Sequence, residues 1–208
     1  MQMNKYIVAC FIFMFSWMIP AGLYAQSAAT QSDPVALLQY IADNMVQQLK
    51  TNQATLKTKP TLVYKLAYQY VVPYADLPEM SKRVLPPQTW NQATPDQRAR
   101  FQKQFTTLLI RTYASALTSY KDQTVKFYPV RGSSGSTVQV SSDIISPESQ
   151  PIHVTYRLLR KGNVWRLYDM SVEGVSLIES FRSQFSDILG HGDMETLLQR
   201  MSGHNTRG

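Results

Sequence analysis

Asp169 and Glu173, flanking Met170 to Val172 just ahead of Gly174, are the carboxylates in this chain best placed to act as an acid and a base. A carboxyl buried on a curved sheet can acquire a raised pKa and move a proton to or from carbon, the chemistry of small isomerases. The competing assignment has Asp169 holding a strand-to-helix corner by accepting backbone N–H groups. The run around it, WRLYDMSVEGVSLIESFRSQF from Trp165 to Phe185, favours the corner, because it passes from an amphipathic strand through a Glu-Gly turn into a helix. His153 alternates with Ile152 and Val154, while His191 and His204 fall in a glycine-flanked turn and in the tail, so their spacing fits no metal site. No serine stands in a Gly-x-Ser-x-Gly elbow, and no glycine-rich phosphate loop is present. Catalysis, a metal centre and a cofactor are therefore not expected, and the chain reads first as one that holds a ligand.

The elements that would position such a ligand divide by period. Asp33-Pro34 supplies an N-cap and an N1 proline, and Val35, Leu38, Ile41, Ala42, Met45, Val46 and Leu49 follow at helical spacing. Leu62 to Val72 is apolar or aromatic nearly all round, which predicts a helix buried between other elements. Leu77 to Leu85 is a short helix stopped by Pro86-Pro87. The longest helix starts at the capping box Thr94-Pro95-Asp96-Gln97 and carries the stripe Phe101, Phe105, Leu108, Leu109, Thr112, Tyr113, Ala116, Leu117 and Tyr120. After Lys121-Asp122 the period becomes two, predicting strands over Thr124–Val130, Thr137–Ile145, Ile152–Arg160 and Val164–Met170 with turn residues between them. Two helices, Ser176–Leu189 and Asp193–Met201, close the chain. The expected fold is α+β, a four-stranded antiparallel meander with one face covered by several helices.

The first 25 residues read as an export signal: Lys5, then the apolar run Tyr6–Ile19, then a break at Pro20-Ala21-Gly22 and cleavage after Ala25. Ile7-Val8-Ala9-Cys10 looks like a lipoprotein box, but only six residues precede the box, so no apolar region would lie ahead of the cut. Cys10 is the only cysteine. Its removal with the signal leaves no disulfide, thiolate or cysteine ligand. The expected organisation is signal peptide 1–25, polar leader 26–32, one α+β domain 33–202 and a disordered tail 203–208, exported to the periplasm. Net charge is +7 for the whole chain, and loss of the signal takes one lysine and no acid with it. The basic residues are scattered rather than blocked, which suits a solvated surface and gives no footprint for nucleic acid.

Pro73-Tyr74-Ala75-Asp76, Trp90, Thr94 to Arg98 with Phe101 and Phe105, Arg111-Thr112-Tyr113-Ala114 with Leu117 and Tyr120, Trp165, Tyr168-Asp169 and Glu173-Gly174-Val175-Ser176 form one ordered series. In that order and spacing the chain resembles the toluene-tolerance, or MlaC, family of periplasmic phospholipid carriers, over about Asp33 to Ser202. The resemblance implies a curved four-stranded antiparallel sheet, an NTF2-like roll, packed against several helices that enclose a deep apolar cavity, with both acyl chains of a diacyl glycerophospholipid inside and the head group at the mouth. By motif position, Tyr113, Ile152 and Val175 fall where the family lines its cavity. Period alone adds Phe105, Leu109, Val154, Tyr156, Leu158 and Met170. The resemblance further implies partners in both membranes, an outer-membrane lipoprotein/porin complex and an inner-membrane ABC transporter complex, with the carrier itself a monomer and no cofactor needed. The alternatives are an enzyme on the same roll-like fold with Asp169 as base, and a periplasmic adaptor that binds only protein.

Overall fold

The computed structural model describes residues 30–118, 122–130, 133–147 and 149–206. The expected signal, most of the leader, Tyr120 and the side chain of Ala116 lie outside that description.

Helix α1 (Pro34–Thr51) starts where the sequence predicts, because the Asp33 carboxylate accepts from the N–H groups of Val35 and Ala36 at 2.8 and 2.9 Å. Ahead of it the end of the expected leader is held: the Trp165 indole donates to the Ser32 carbonyl at 3.1 Å and Arg166 to the Gln31 amide oxygen at 2.6 Å. Helices α2 (Gln53–Thr58) and α3 (Leu62–Tyr70) follow, then a 3-10 turn (Val72–Tyr74). Only one face of α3 is enclosed, through Val63, Leu66 and Ala67, while Tyr68 stays 45% exposed. The prediction of burial all round is corrected here: its tyrosines supply apolar rings whose hydroxyls keep to the water side.

Helices α4 (Leu77–Val84) and α5 (Pro87–Gln92) lead to α6 (Pro95–Thr118). Its capping box forms in both directions, Gln97 N–H to Thr94 Oγ1 at 3.2 Å and Thr94 N–H to Gln97 Oε1 at 3.0 Å. The strands are β1 (Thr124–Phe127), β2 (Ser133–Ser134), β3 (Thr137–Ser146), β4 (Ser149–Lys161), β5 (Val164–Val172) and β6 (Val175–Ser176). All are antiparallel, in the order β1-β3-β4-β5-β6, with β2 sharing the β1 edge of β3. The four predicted strands are present, and the two-residue strands β2 and β6 are additions to the expected count. Bulges between Ile144 and Ser146 and opposite Arg157–Leu158 interrupt the ladders, and bulges bend and twist the strand that carries them.

Helices α7 (Leu177–Gly190) and α8 (Met194–Thr206) complete the chain. The expected tail from 203 is helical to Thr206. Its anchor is Asn205, whose amide donates to the Gln104 carbonyl at 3.1 Å and whose own carbonyl accepts from Arg111.

Among the described residues, most of the buried hydrophobic side chains fall into three clusters rather than one contiguous core. The first joins α4, α6, α7 and α8 and is dominated by Phe101, Phe105, Phe181 and Phe185. The second packs Leu37 and Leu38 of α1 on Val138, Val140, Leu158 and Trp165 of the sheet, each such leucine contributing about 1.5–3 kcal/mol by its burial. The third, at the far end of α1, gathers Met45, Leu49, Leu56, Val63 and Leu66.

Candidate functional site

Strand pairing decides which side chains share a face, since cross-strand partners lie on the same side of the sheet. One row runs Ser142, Val154, Val172, Val175 across four strands. Val140, Tyr156 and Met170 form the next row on one side, and Ile144 with Ile152 the next on the other. Exposure climbs along this face: Val154 is 1% exposed, Ile152 41% and Val175 65%. Apart from Ser142, whose hydroxyl meets that of Tyr156, the face is apolar, closed at one end and open to water at Ile152 and Val175, which makes it a candidate binding surface.

The Glu173-Gly174 turn shapes that open end. Both residues have positive φ, +50° and +81°, the pair of left-handed conformations that a tight two-residue hairpin turn requires. Glycine adopts this freely, whereas Glu173 is held in place by its backbone: its N–H donates to the His153 carbonyl at 2.9 Å, and its carboxylate accepts from the His153 N–H. The chain then reaches Ser176, whose Oγ accepts from the Glu179 N–H at 3.2 Å and starts α7.

Asp169 locks the same corner. It is 2% exposed and accepts from Met170 N–H (2.8 Å), Ile178 N–H (3.1 Å), Ser176 Oγ (2.8 Å) and Arg157 Nη1 (3.1 Å). Both of its oxygens are occupied by donors, which is the arrangement of a structural clamp; a general base needs a lone pair aimed at substrate. Glu173 is likewise engaged with the backbone of β4. His153 Nδ1 lies 2.9 Å from Asp143, whose other oxygen accepts from the Tyr128 hydroxyl, and His191 Nδ1 lies 3.1 Å from the Asp187 carbonyl. Among the described residues no three His, Cys, Asp or Glu side chains are grouped to hold a metal.

The nine residues singled out from sequence separate into three sets, closed, half-buried and open. Phe105, Val154 and Leu158 are at most 1% exposed: Phe105 is boxed by the rings of Phe101, Phe181 and Phe185 at 5.5 to 5.9 Å, and Leu158 lies in the α1–sheet cluster. Leu109, Tyr113 and Met170 are half-buried against the first cluster, Tyr156 is half-buried against the second, and Ile152 and Val175 are open. Tyr156 stacks obliquely on Phe127 at 5.7 Å and meets Ser142 Oγ at 3.2 Å. Burial raises the pKa of the Tyr156 phenol. Burial first, and the Asp169 carboxylate second, do the same for Tyr113. Both hydroxyls stay neutral at physiological pH, so these rings add no charge to the face. Sequence reasoning missed Val172 and Ile144, which complete the rows with Val175 and Ile152. The period-two alternation, followed two residues past Met170 on β5, would have found Val172.

The MlaC protein family matches residues 39–203 of this chain. The intermembrane phospholipid transport system binding protein MlaC of Haemophilus influenzae is 26% identical over 192 residues, covering 90% of this chain and 89% of that protein. Toluene tolerance protein ttg2D of Pseudomonas putida is 26% identical over 156 residues, 75% of this chain and 73% of that protein. In three dimensions the chain superposes on a phospholipid-binding protein from Ralstonia solanacearum, solved in complex with a phospholipid. The TM-score is 0.78 at 30% identity, covering 84% of this chain and 98% of that one.

Proposed function

Because this chain belongs to the MlaC protein family, we propose that it is a phospholipid-binding carrier that moves diacyl glycerophospholipids between membranes, with the inward face of its sheet as the acyl-chain site. The observation that carries this reading is the sheet face whose two neighbouring rows end at Val175 and Ile152, which leaves large hydrophobic side chains open to water. Tyr113 and Leu109 wall the site from the helical side, Tyr156, Met170 and Val172 from the sheet, and the Glu173–Ser176 corner forms its rim. The likeness to a protein solved with a phospholipid supports the same assignment.

Transfer energy explains why such a site is apolar and sparse in polar contacts. A diacyl lipid has roughly 30 methylenes, and at about 0.8 kcal/mol each their exposure to water costs on the order of 20 kcal/mol. A carrier need only match the bilayer: too weak a face never extracts lipid, and too strong a one never releases it. Two acyl chains need a space at the upper end of ligand cavities, about 1,000 Å³. Loading and unloading then fall to complexes in the outer and inner membranes. The signal-like segment from Lys5 to Ala25 supports a periplasmic route between them, and none of the described helices is long and apolar enough to cross a membrane.

The test is organic extraction and mass spectrometry of protein purified from a periplasmic fraction without detergent. Stoichiometric diacyl phospholipid is expected. A protein that arrives empty and takes up none from liposomes would refute the assignment.

A further inference from the structure

Between Asp43 and Asp76 the chain contains no acidic residue and no arginine, yet it carries four lysines, Lys50, Lys57, Lys59 and Lys65. This stretch comprises the end of α1, all of α2 and α3, and the third apolar cluster beneath them. All four lysines are exposed, and every residue from Lys57 to Thr61 faces water. None of the four forms an ion pair among the described residues, in contrast to Lys161, which binds Asp76 at 3.0 Å. Tyr68, 45% exposed, lies three residues beyond Lys65 on α3 with its hydroxyl 3.5 Å from Thr107 of α6.

We infer that this end of the molecule is a docking surface for an anionic lipid bilayer. The choice of cation favours a bilayer over an acidic protein. Arginine is enriched and lysine depleted at protein–protein interfaces, because a planar guanidinium forms directed pairs with carboxylates. Lysine is a hydrated point charge on a flexible stem and suits a diffuse field of phosphates. Exposed tyrosine beside lysine is the composition found at the level of lipid head groups. Ala114 and Leu117 of α6 pack on this end, and Tyr113 on the same helix walls the proposed acyl-chain site. Contact with head groups would therefore hold a loaded carrier against the membrane on the helix that borders its cargo.

The test is co-sedimentation of the purified chain with vesicles of phosphatidylethanolamine and phosphatidylglycerol, and with vesicles of phosphatidylcholine alone. Binding is expected only to the anionic vesicles and falls steeply between about 50 and 500 mM salt. Each of Lys57→Gln, Lys59→Gln and Lys65→Gln is expected to lower vesicle affinity about fivefold, as about 1 kcal/mol per basic residue near a bilayer requires. Tyr68→Ser lowers it further, and circular dichroism stays unchanged because all of these side chains are exposed. Extraction of the same samples separates this inference from the carrier reading, since the variants should keep their lipid. Equal binding by the triple lysine variant, equal binding to neutral vesicles, or salt-sensitive binding to polyglutamate with none to vesicles would overturn it.

Discussion

The phenylalanine cluster of the helices and the open end of the sheet are built from the same kind of side chain and are finished differently. Phe101, Phe105, Phe181 and Phe185 close on one another, each at most 5% exposed, with ring centroids 5.5 to 5.9 Å apart and three of the five contacts edge-on. Each such aromatic pair adds about 0.5–1.5 kcal/mol beyond its burial, and all of it stabilises the fold. Tyr113, Tyr156, Met170, Ile152 and Val175 are comparably apolar, yet they stop half-buried or open. In one region the protein completes its own contacts; in the other it leaves them open, as the proposed cargo site requires. Hydrophobicity alone does not separate a core from a cargo site, and completeness of closure does.

That contrast predicts opposite responses to substitution. Phe105→Ala should cost about 3–5 kcal/mol of stability, while whatever folds keeps its lipid; if lipid is lost in proportion to neither unfolding nor melting temperature, Phe105 belongs to the cargo site instead. Asp169→Ala should come next, at about 2–3 kcal/mol, because four donors lose their acceptor. Asp169→Asn should recover part of that loss, and no turnover of any substrate should depend on the carboxylate. Val175→Asp and Tyr113→Glu should do the reverse of Phe105→Ala, removing at least tenfold of the extracted lipid, about 1.4 kcal/mol, with a small change in melting temperature. Full lipid content in both variants would sink the assignment of the open face.

The smallest effect lies at alkaline pH. Burial first, then the hydrogen bond with Tyr40, pushes the Tyr74 phenol up to about 12, and burial also raises Tyr113 and Tyr156. A phenol whose folded pKa exceeds its unfolded value of about 10 releases its proton more readily when unfolded. Stability from these groups is therefore complete below pH ~10 and drains away as pH rises toward 12. Thermal melts across that window, with the phenolate absorbance followed in parallel, should show a late-titrating class of tyrosines. Lipid should delay Tyr113 and Tyr156 but not Tyr74 if the half-buried pair faces cargo. A single titration near pH 10, with flat melting temperatures, would remove the distinction.

The elements legible in the sequence were those that local chemistry specifies. Asp33-Pro34 and Thr94 with Gln97 start their helices through hydrogen bonds two or three residues long, so nothing distant is needed to read them. The short helices α2 and α5 and the two-residue strands β2 and β6 carry no period to detect and exist through their neighbours. The site was half legible. Phe105 and Tyr113 sit in one apolar stripe, and helical spacing says only that both face inward. Phe105 meets the phenylalanines of α7, whereas Tyr113 lies close enough to Asp169 to feel its charge. What a stripe faces is decided by elements some 70 residues later in the chain.

The sheet's edges bear on a hazard that any protein with an open apolar face must manage. The long strands β3 and β5 that flank β4, of 10 and 9 residues, would make ready templates for a foreign strand if their outer hydrogen bonds were free. Each outer flank is instead occupied in short pieces: β1 and β2 along β3, and β6 with the Ala75–Leu167 bridge along β5. Fragmented, bent edges offer too short a run of donors and acceptors to extend the sheet into a second molecule. The chain is thereby steered away from fibrous self-assembly, even with the proposed acyl-chain face open to water.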